Sequence, residues 1–265
     1  MKLNEVTAKN KAAWDASAAL HGTGAYWQEL TTGFSDPAYS RFDDTMAEAL
    51  RSAGIQGARA VQIGCNNGRE VLSACALGAQ SCLGIDQSAA FLAQARILRD
   101  ISGHDASFVE ADIYALPETV PRDFDVAFIT IGVLNWMPDL PRFFAAVSGL
   151  IRSGGRLIIY ETHPILEMFE PDADDPHQLF HSYFRKDAFV ETAAITYDGT
   201  SAQDMPESHW FIHTLGDIVQ GALAEGMTLT TLREFPHSIR EVDYDVYENQ
   251  SAQLPMSFLL CATKA

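Results

Sequence analysis

The feature that most constrains this chain is an alternation, between residues 60 and 160, of short apolar runs with amphipathic stretches. The runs are AVQIG (60–64), SCLGID (81–86), the shorter SFV (107–109), FDVAFITI (124–131) and RLIIY (156–160). Strands that are apolar on both faces are covered on both faces, which a parallel sheet achieves with a helix in each crossover. The intervening segments supply those helices. After Gly68, residues Val71, Leu72 and Cys75 share a face and Gly78 stops the helix. Ser88 can cap a second helix, with Phe91, Ala95 and Leu98 on one face, and Pro141 opens a third, with Phe144, Val147 and Ile151 inward. Ser153-Gly154-Gly155 reads as a turn into the fifth strand. A helix over 214–225 ends at Gly226, and residues 227–233 and 256–263 read as two closing strands. No helix signal lies between them, so they pair antiparallel. The predicted fold is α/β: a Rossmann-like, doubly wound, mostly parallel seven-stranded sheet with an antiparallel last strand.

Two segments stand outside that sheet. Residues 1–55 carry two helical patterns, the second marked by a stripe of Phe42, Met46 and Leu50, and form an N-terminal cap on the core of residues 56–161. Residues 162–212 are an insertion over the carboxyl edge of the sheet, with strand-like pieces at HSYF (181–184), AAITYDG (193–199) and SHWFIH (208–213); residues 213–265 complete the sheet.

Charge and cysteine usage narrow the function. The net charge is −17, from 18 basic and 35 acidic residues, and such a surface repels phosphate backbones, which argues against a nucleic-acid partner. The longest apolar run, 126–134, is interrupted by Thr130 and Gly132 and is too short to span a bilayer. The first residues lack the apolar stretch of a signal peptide. Cys65, Cys75, Cys82 and Cys261 have no metal or redox spacing and read as buried free thiols. The expectation is a cytoplasmic protein with no membrane partner and no metal; nothing in the sequence sets an oligomeric state. The acidic stretches EPDADD (170–175) and REVDYDVYE (240–248) read as solvated loops.

In an open α/β sheet, ligands bind beyond the carboxyl ends of the strands. Four features converge there. Gly64-Cys65-Asn66-Asn67-Gly68 follows the first strand, and its two glycines permit a tight turn with close backbone approach to a ligand. Asp86, followed by Gln87, ends the second strand 22 residues after Gly64, where a carboxylate can accept both hydroxyls of a ribose or, more plainly, cap a helix. Asp112 can accept from an adenine amino group while the Ile113 amide donates to a ring nitrogen. Thr130-Ile131-Gly132 ends the fourth strand, where backbone carbonyls can receive an ammonium group.

This order resembles that of the class I S-adenosylmethionine-dependent methyltransferases over roughly residues 58–161. VQIGCNNG occupies the place of the family's glycine-rich motif, LGID that of the second-strand acid, and VEADIYALP that of the adenine-side motif; the run from FDVAFITI to RLIIYE covers the rest. NKAAWDASA near the N-terminus resembles the family's cofactor-covering helix. The chain departs from the pattern at Gln62, where the family usually has an acid, and at Asn66, where it has a glycine. A bacterial small-molecule branch with a Cys-x-x-Gly loop looks similar. The resemblance implies S-adenosylmethionine as cofactor, held by Gly64, Cys65, Asn66, Gly68, Asp86, Gln87, Asp112, Ile113 and Thr130, and O- or N-methylation of a small acceptor. A nicotinamide-binding oxidoreductase and a non-catalytic binding module are the alternatives. Against the first, Asn66 replaces the second glycine of the dinucleotide fingerprint, and Glu70 at the helix start would face a diphosphate.

Acceptor-side candidates are Trp136 after the fourth strand, Glu161 and His163 after the fifth, and His181, Tyr183, Arg185, Trp210 and His213 from the insertion and just beyond it. His163 is the candidate base if the acceptor needs one, and a hydrogen-bonded packing residue otherwise. Tyr26 and Trp27 either close over the cofactor or pack their helix on the core.

Overall fold

The computed structural model describes residues 2–196, 202, 204–239 and 242–265. In chain order its strands are β1 (Arg59–Ile63), β2 (Ser81–Asp86), β3 (Ala106–Glu110), β4 (Phe124–Thr130), β5 (Ile151–Thr162), β6 (Phe189–Glu191), β7 (Ser208–Trp210), β8 (Met227–Phe235) and β9 (Ser257–Lys264). Seven of them form one sheet in the order β3-β2-β1-β4-β5-β9-β8. The first five are parallel, and β9 runs antiparallel to both of its neighbours. The order reverses between β1 and β4, so a crevice opens at their carboxyl ends.

The doubly apolar runs are explained by two cores, one on each face. Ala127 and Ile129 of β4, with Leu157 and Ile159 of β5, pack beneath α6 (Leu140–Leu150) and α7 (Leu215–Ala224). Their neighbours Val126, Phe128, Ile158 and Tyr160 pack on the other face with α3 (Asp44–Ser52) and α4 (Arg69–Ala76). α5 (Ala89–Ser102) flanks α4 on that second face and is capped as expected, the Ser88 hydroxyl accepting from the Phe91 amide at 3.2 Å.

Several expectations need correction. The N-terminal region holds three helices, α1 (Leu3–His21), α2 (Gly24–Gly33) and α3, and Phe42 lies just ahead of the third. The 153–155 turn is absorbed into β5, where Gly154 has φ +74° and the pairing with β4 shifts register. HSYF is not a strand. β7 falls within SHWFIH, but its partner β6 lies at a segment with no strand reading, and the two form a separate ribbon. Tyr197 and the end of AAITYDG lie outside the described residues, as do Arg240 and Glu241. A 3₁₀ turn, Val242–Tyr247, separates β8 from β9. Among the described residues, no helix is long and apolar enough to cross a membrane.

Candidate active site

A cavity of about 490 Å³ lies at the carboxyl ends of β1, β2, β4 and β5, between the sheet and the insertion. Its sheet-side wall is built by turns. Gly64 and Asn66 line it, both in the left-handed region at φ +68° and +50°. Asparagine tolerates that region better than most residues. The two glycines of the loop are required by the chain itself. A Cβ on Gly64 would stand 2.7 Å from Val133, and one on Gly68 would stand 2.8 Å from the Phe108 ring.

Asp86 and Gln87 line the same wall. Each oxygen of Asp86 accepts one amide at 2.8 Å, Oδ2 from Asn66 and Oδ1 from Ser88, so the carboxylate ties the first two turns together. Burial raises its pKa against those two bonds. A carboxylate oxygen accepts more than one hydrogen bond, so both remain able to receive hydroxyls. Asp112 and Ile113 follow along the wall; Asp112 Oδ1 caps its own turn by accepting from the Tyr114 amide at 3.0 Å.

Glu161, at the end of β5, fixes the facing turn. Its buried carboxylate accepts from the amides of Gly132, Val133 and Leu134 at 2.5–3.2 Å. Burial still lifts its pKa to about 7, against the pull of those amides. Trp136, also on the wall, meets Trp14 of α1 edge to face with centroids 5.3 Å apart.

α1 closes the cavity and is held by polar contacts on two sides. Asp15 accepts from the Ser88 hydroxyl at 2.6 Å, and Lys11 donates to the Gln87 carbonyl at 2.7 Å. On the insertion side, Asn10 exchanges two bonds with the His209 backbone, at 2.7 and 2.8 Å. Trp14 was covered in the sequence only by the NKAAWDASA likeness. Tyr26 and Trp27 instead pack on the second core, with the Tyr26 hydroxyl accepting from Arg69 at 2.9 Å.

The insertion supplies the outer wall: Phe169, His181, Phe189 and Trp210 line it. Phe189 and Trp210 stack at 3.9 Å, and Trp210 Nε1 donates to Glu191 at 2.8 Å. Glu167 is buried on this wall, with Oε1 accepting from Asn135 at 2.6 Å, and burial pushes its pKa up to about 7. Nothing in the sequence marked Glu167 or Asn135. Glu170 and Asp172 of EPDADD, and Asp243 of REVDYDVYE, stand at the cavity mouth. Both stretches therefore contribute to the cavity and are more than solvated loops.

Seven sequence candidates lie off the wall, among them Arg185, which donates to the carbonyls of Asp187 and Ala188. Cys65 alternates inward from Gly64 and Asn66, and its thiol packs over Gly84 of β2. Gly68 sits beneath Phe108 as the residue preceding α4. Thr130 is buried, accepting from Gln62 Nε2 at 3.0 Å; Ile131 and Gly132 line the cavity in its place. The Tyr183 hydroxyl accepts from the Leu215 amide at 2.9 Å, which turns it from the cavity, and His213 Nε2 bonds the Met137 carbonyl at 2.7 Å. His163 is buried behind β5. Its Nδ1 accepts from the Ile165 amide at 3.1 Å, which leaves Nε2–H to donate to Glu234 of β8 at 2.9 Å. With both ring nitrogens engaged, and burial lowering its pKa, His163 is a packing residue.

Residues 61–157 match a family described as methyltransferase domain, a stretch that holds every turn of the sheet-side wall. No curated protein matches the chain. Among solved structures, an S-adenosylmethionine-dependent methyltransferase from Mesorhizobium loti is 21% identical, with 82% of this chain and 96% of that one covered at a TM-score of 0.56. Geranyl diphosphate C-methyltransferase from Streptomyces coelicolor A3(2), in complex with Mg²⁺, geranyl diphosphate and S-adenosyl-L-homocysteine, is 13% identical, with 85% and 78% covered at 0.56. A [4+2]-cyclase, SpnF, is 16% identical, with 83% and 81% covered at 0.55. At these identities the solved structures establish the fold. The match over 61–157 is to a methyltransferase domain, and the solved structures share its fold with this chain.

Proposed function

We propose that the cavity holds S-adenosylmethionine along the sheet-side wall and passes its methyl group to a small-molecule acceptor beneath the insertion, at nitrogen or oxygen. The observation that carries this reading is one continuous cavity whose two ends differ in chemistry, turns and carboxylates at one and aromatic side chains at the other. Its volume, about 490 Å³, falls within the range of small-molecule sites, roughly 300–1,000 Å³. Asp86 receives the ribose hydroxyls, and Asp112 and Ile113 face the adenine. Glu161 holds the Gly132–Leu134 turn against the donor end, and Trp14 and Trp136 exclude water.

The bound cofactor supplies an activated methyl group on a good leaving group. The protein's share is alignment, which is worth effective molarities of about 10⁵–10⁸ M. A dinucleotide fits poorly, because among the described residues no lysine or arginine lines the cavity and the α4 N-terminus begins with the buried Arg69–Glu70 pair. The same lack of lysine and arginine among the described lining residues disfavours an acceptor with a diphosphate, such as the one bound by the Streptomyces coelicolor neighbour. The cyclase among the neighbours shows that the fold alone does not fix the chemistry.

The test is thermal. S-adenosylhomocysteine raises the melting temperature by mass action on the native state, and NAD and NADP leave it unchanged. A shift with NAD and none with S-adenosylhomocysteine would overturn the reading; a shift without methyl transfer to any acceptor would leave a binding module.

A further inference from the structure

Resting on that reading, we propose that the acceptor carries a protonated amine next to an apolar or aromatic body, and that Glu167 is the counter-ion which takes its proton before methyl transfer. Among the described residues, the outer wall holds five carboxylates, Glu167, Glu170, Asp172, Glu191 and Asp243, and no lysine or arginine. They come from the insertion and the 3₁₀ turn, not from the turns at the ends of β1–β3, so they add to whatever charge the cofactor requires. The described basic groups nearby already have partners, and Arg185 lies over the Phe189 ring. Arg185 donates to the carbonyls of Asp187 and Ala188, Lys186 pairs with Asp217, and Lys9 pairs with Glu207. His181 bonds Glu170.

The carboxylates repel one another. Besides its burial, Glu167 feels Glu191 and Glu161, while Asn135 and Tyr244 hydrogen-bond to it and favour its charged form; burial, Asp172 and Asp245 all raise Asp243. Like charges crowded at one mouth disfavour the ionised state unless a cation joins them. Among the described residues, no three such groups converge as a metal-ligating set. Phe189 is covered by Trp210 on one face and by the Arg185 guanidinium, 4.0 Å from its centroid, on the other. The negative charge is therefore spread along a wall whose remaining rings are Phe169 and Trp210, an arrangement that suits an organic ammonium group, attracted both by carboxylates and by a ring face.

An ammonium nitrogen has no lone pair to donate, so one N–H bond breaks and its proton moves to a Glu167 carboxylate oxygen. The freed pair then forms the N–C bond as the C–S bond breaks, its electrons remaining on sulfur as a thioether. The nitrogen again bears the positive charge, and Glu167 returns the proton to solvent. A carboxylate poised near neutral pH suits that exchange.

Two probes of similar shape and opposite charge test this: phenethylammonium and 3-phenylpropanoate, titrated by calorimetry into the protein with and without S-adenosylhomocysteine. The ammonium should bind at least tenfold tighter, and both Glu167→Gln and the exposed Glu191→Gln should narrow that gap. Glu167→Gln should also lower kcat with phenethylammonium more than it raises KM, which a merely structural glutamate would not produce. Equal or tighter binding of the carboxylate, or binding of neither probe, overturns the proposal. So does methyl transfer that reaches phenols or carboxylic acids but not amines. Failure of S-adenosylhomocysteine to bind is a different outcome: it sinks the methyl-transfer reading, while the charge preference is still measured on the protein alone.

Discussion

The two walls of the cavity are held in place by different means. The sheet-side wall is backbone turns locked by short-range geometry: glycines at positive φ, and carboxylates that accept amides from adjacent turns. The outer wall is a two-stranded ribbon and long connections, held by side-chain and backbone bonds that reach across the chain. Asn10 bonds the backbone of β7, Ser17 receives the Ile195 amide at 3.0 Å, and Phe211 donates to the Asn135 carbonyl at 2.8 Å. Function sites commonly sit on such connections while a rigid scaffold positions them. On the proposed reading, the difference predicts that substitutions in the first wall act on folding and cofactor together, whereas those in the second act on the acceptor.

The sharpest break of that comparison is Gly64→Ala. A Cβ there meets Val133 at 2.7 Å and the residue must hold φ +68°, so the loss of stability is on the order of 2–5 kcal/mol. Urea unfolding measures it; an unperturbed midpoint would mean the first wall is as pliable as the second. Next comes Asp86→Ala, which removes an acceptor for charge-assisted bonds worth about 1.5–3 kcal/mol each. Calorimetry with S-adenosylhomocysteine should show affinity falling roughly 10- to 100-fold.

The buried glutamates give a pH test. Glu167 holds its proton up to about 7 in the folded state, against an ordinary value of 4.5. Between those two pH values the native state keeps a proton that the unfolded chain has released. Stability is therefore greatest below pH 4.5 with respect to this group, falls as pH rises to 7, and levels off above. The fall is on the order of 3 kcal/mol. Glu161 shifts the same way, so Glu167→Gln should remove only part of the slope.

On the outer wall, Trp210→Ala removes the stack on Phe189. It should lower kcat/KM about tenfold, or roughly 1.4 kcal/mol, with cofactor affinity within about twofold of wild type. Equal loss of both would show that the ribbon supports the cofactor as well. The smallest effect belongs to His163→Gln. Turnover should stay within about twofold, because the imidazole is bonded to Glu234 and not to the cavity.

The same contrast explains what could be read from sequence. Asp86 and Gly64 are legible because their position follows from local pattern: a strand ends, a turn begins, and the switch point of the sheet lies there. Cys65 misled because neighbours in a turn face opposite ways. His163 misled because its partner, Glu234, arrives through the pairing of β5 with β9 and β9 with β8, a register no local pattern announces. Glu167 depends on Asn135, 32 residues away, and the acids of EPDADD read as loop because only the folded ribbon gives them a cavity to face.

The placement of β9 has a consequence for assembly. It pairs along its length with β5 on one side and β8 on the other. Until residues 257–264 leave the ribosome, β5 has no neighbour on that side and presents a row of unpaired amides and carbonyls. An exposed edge of that kind is a template for wrong pairing with other chains. Truncation before β9 would therefore yield aggregation rather than a smaller folded protein, since the strand that carries Glu161 is the one left open.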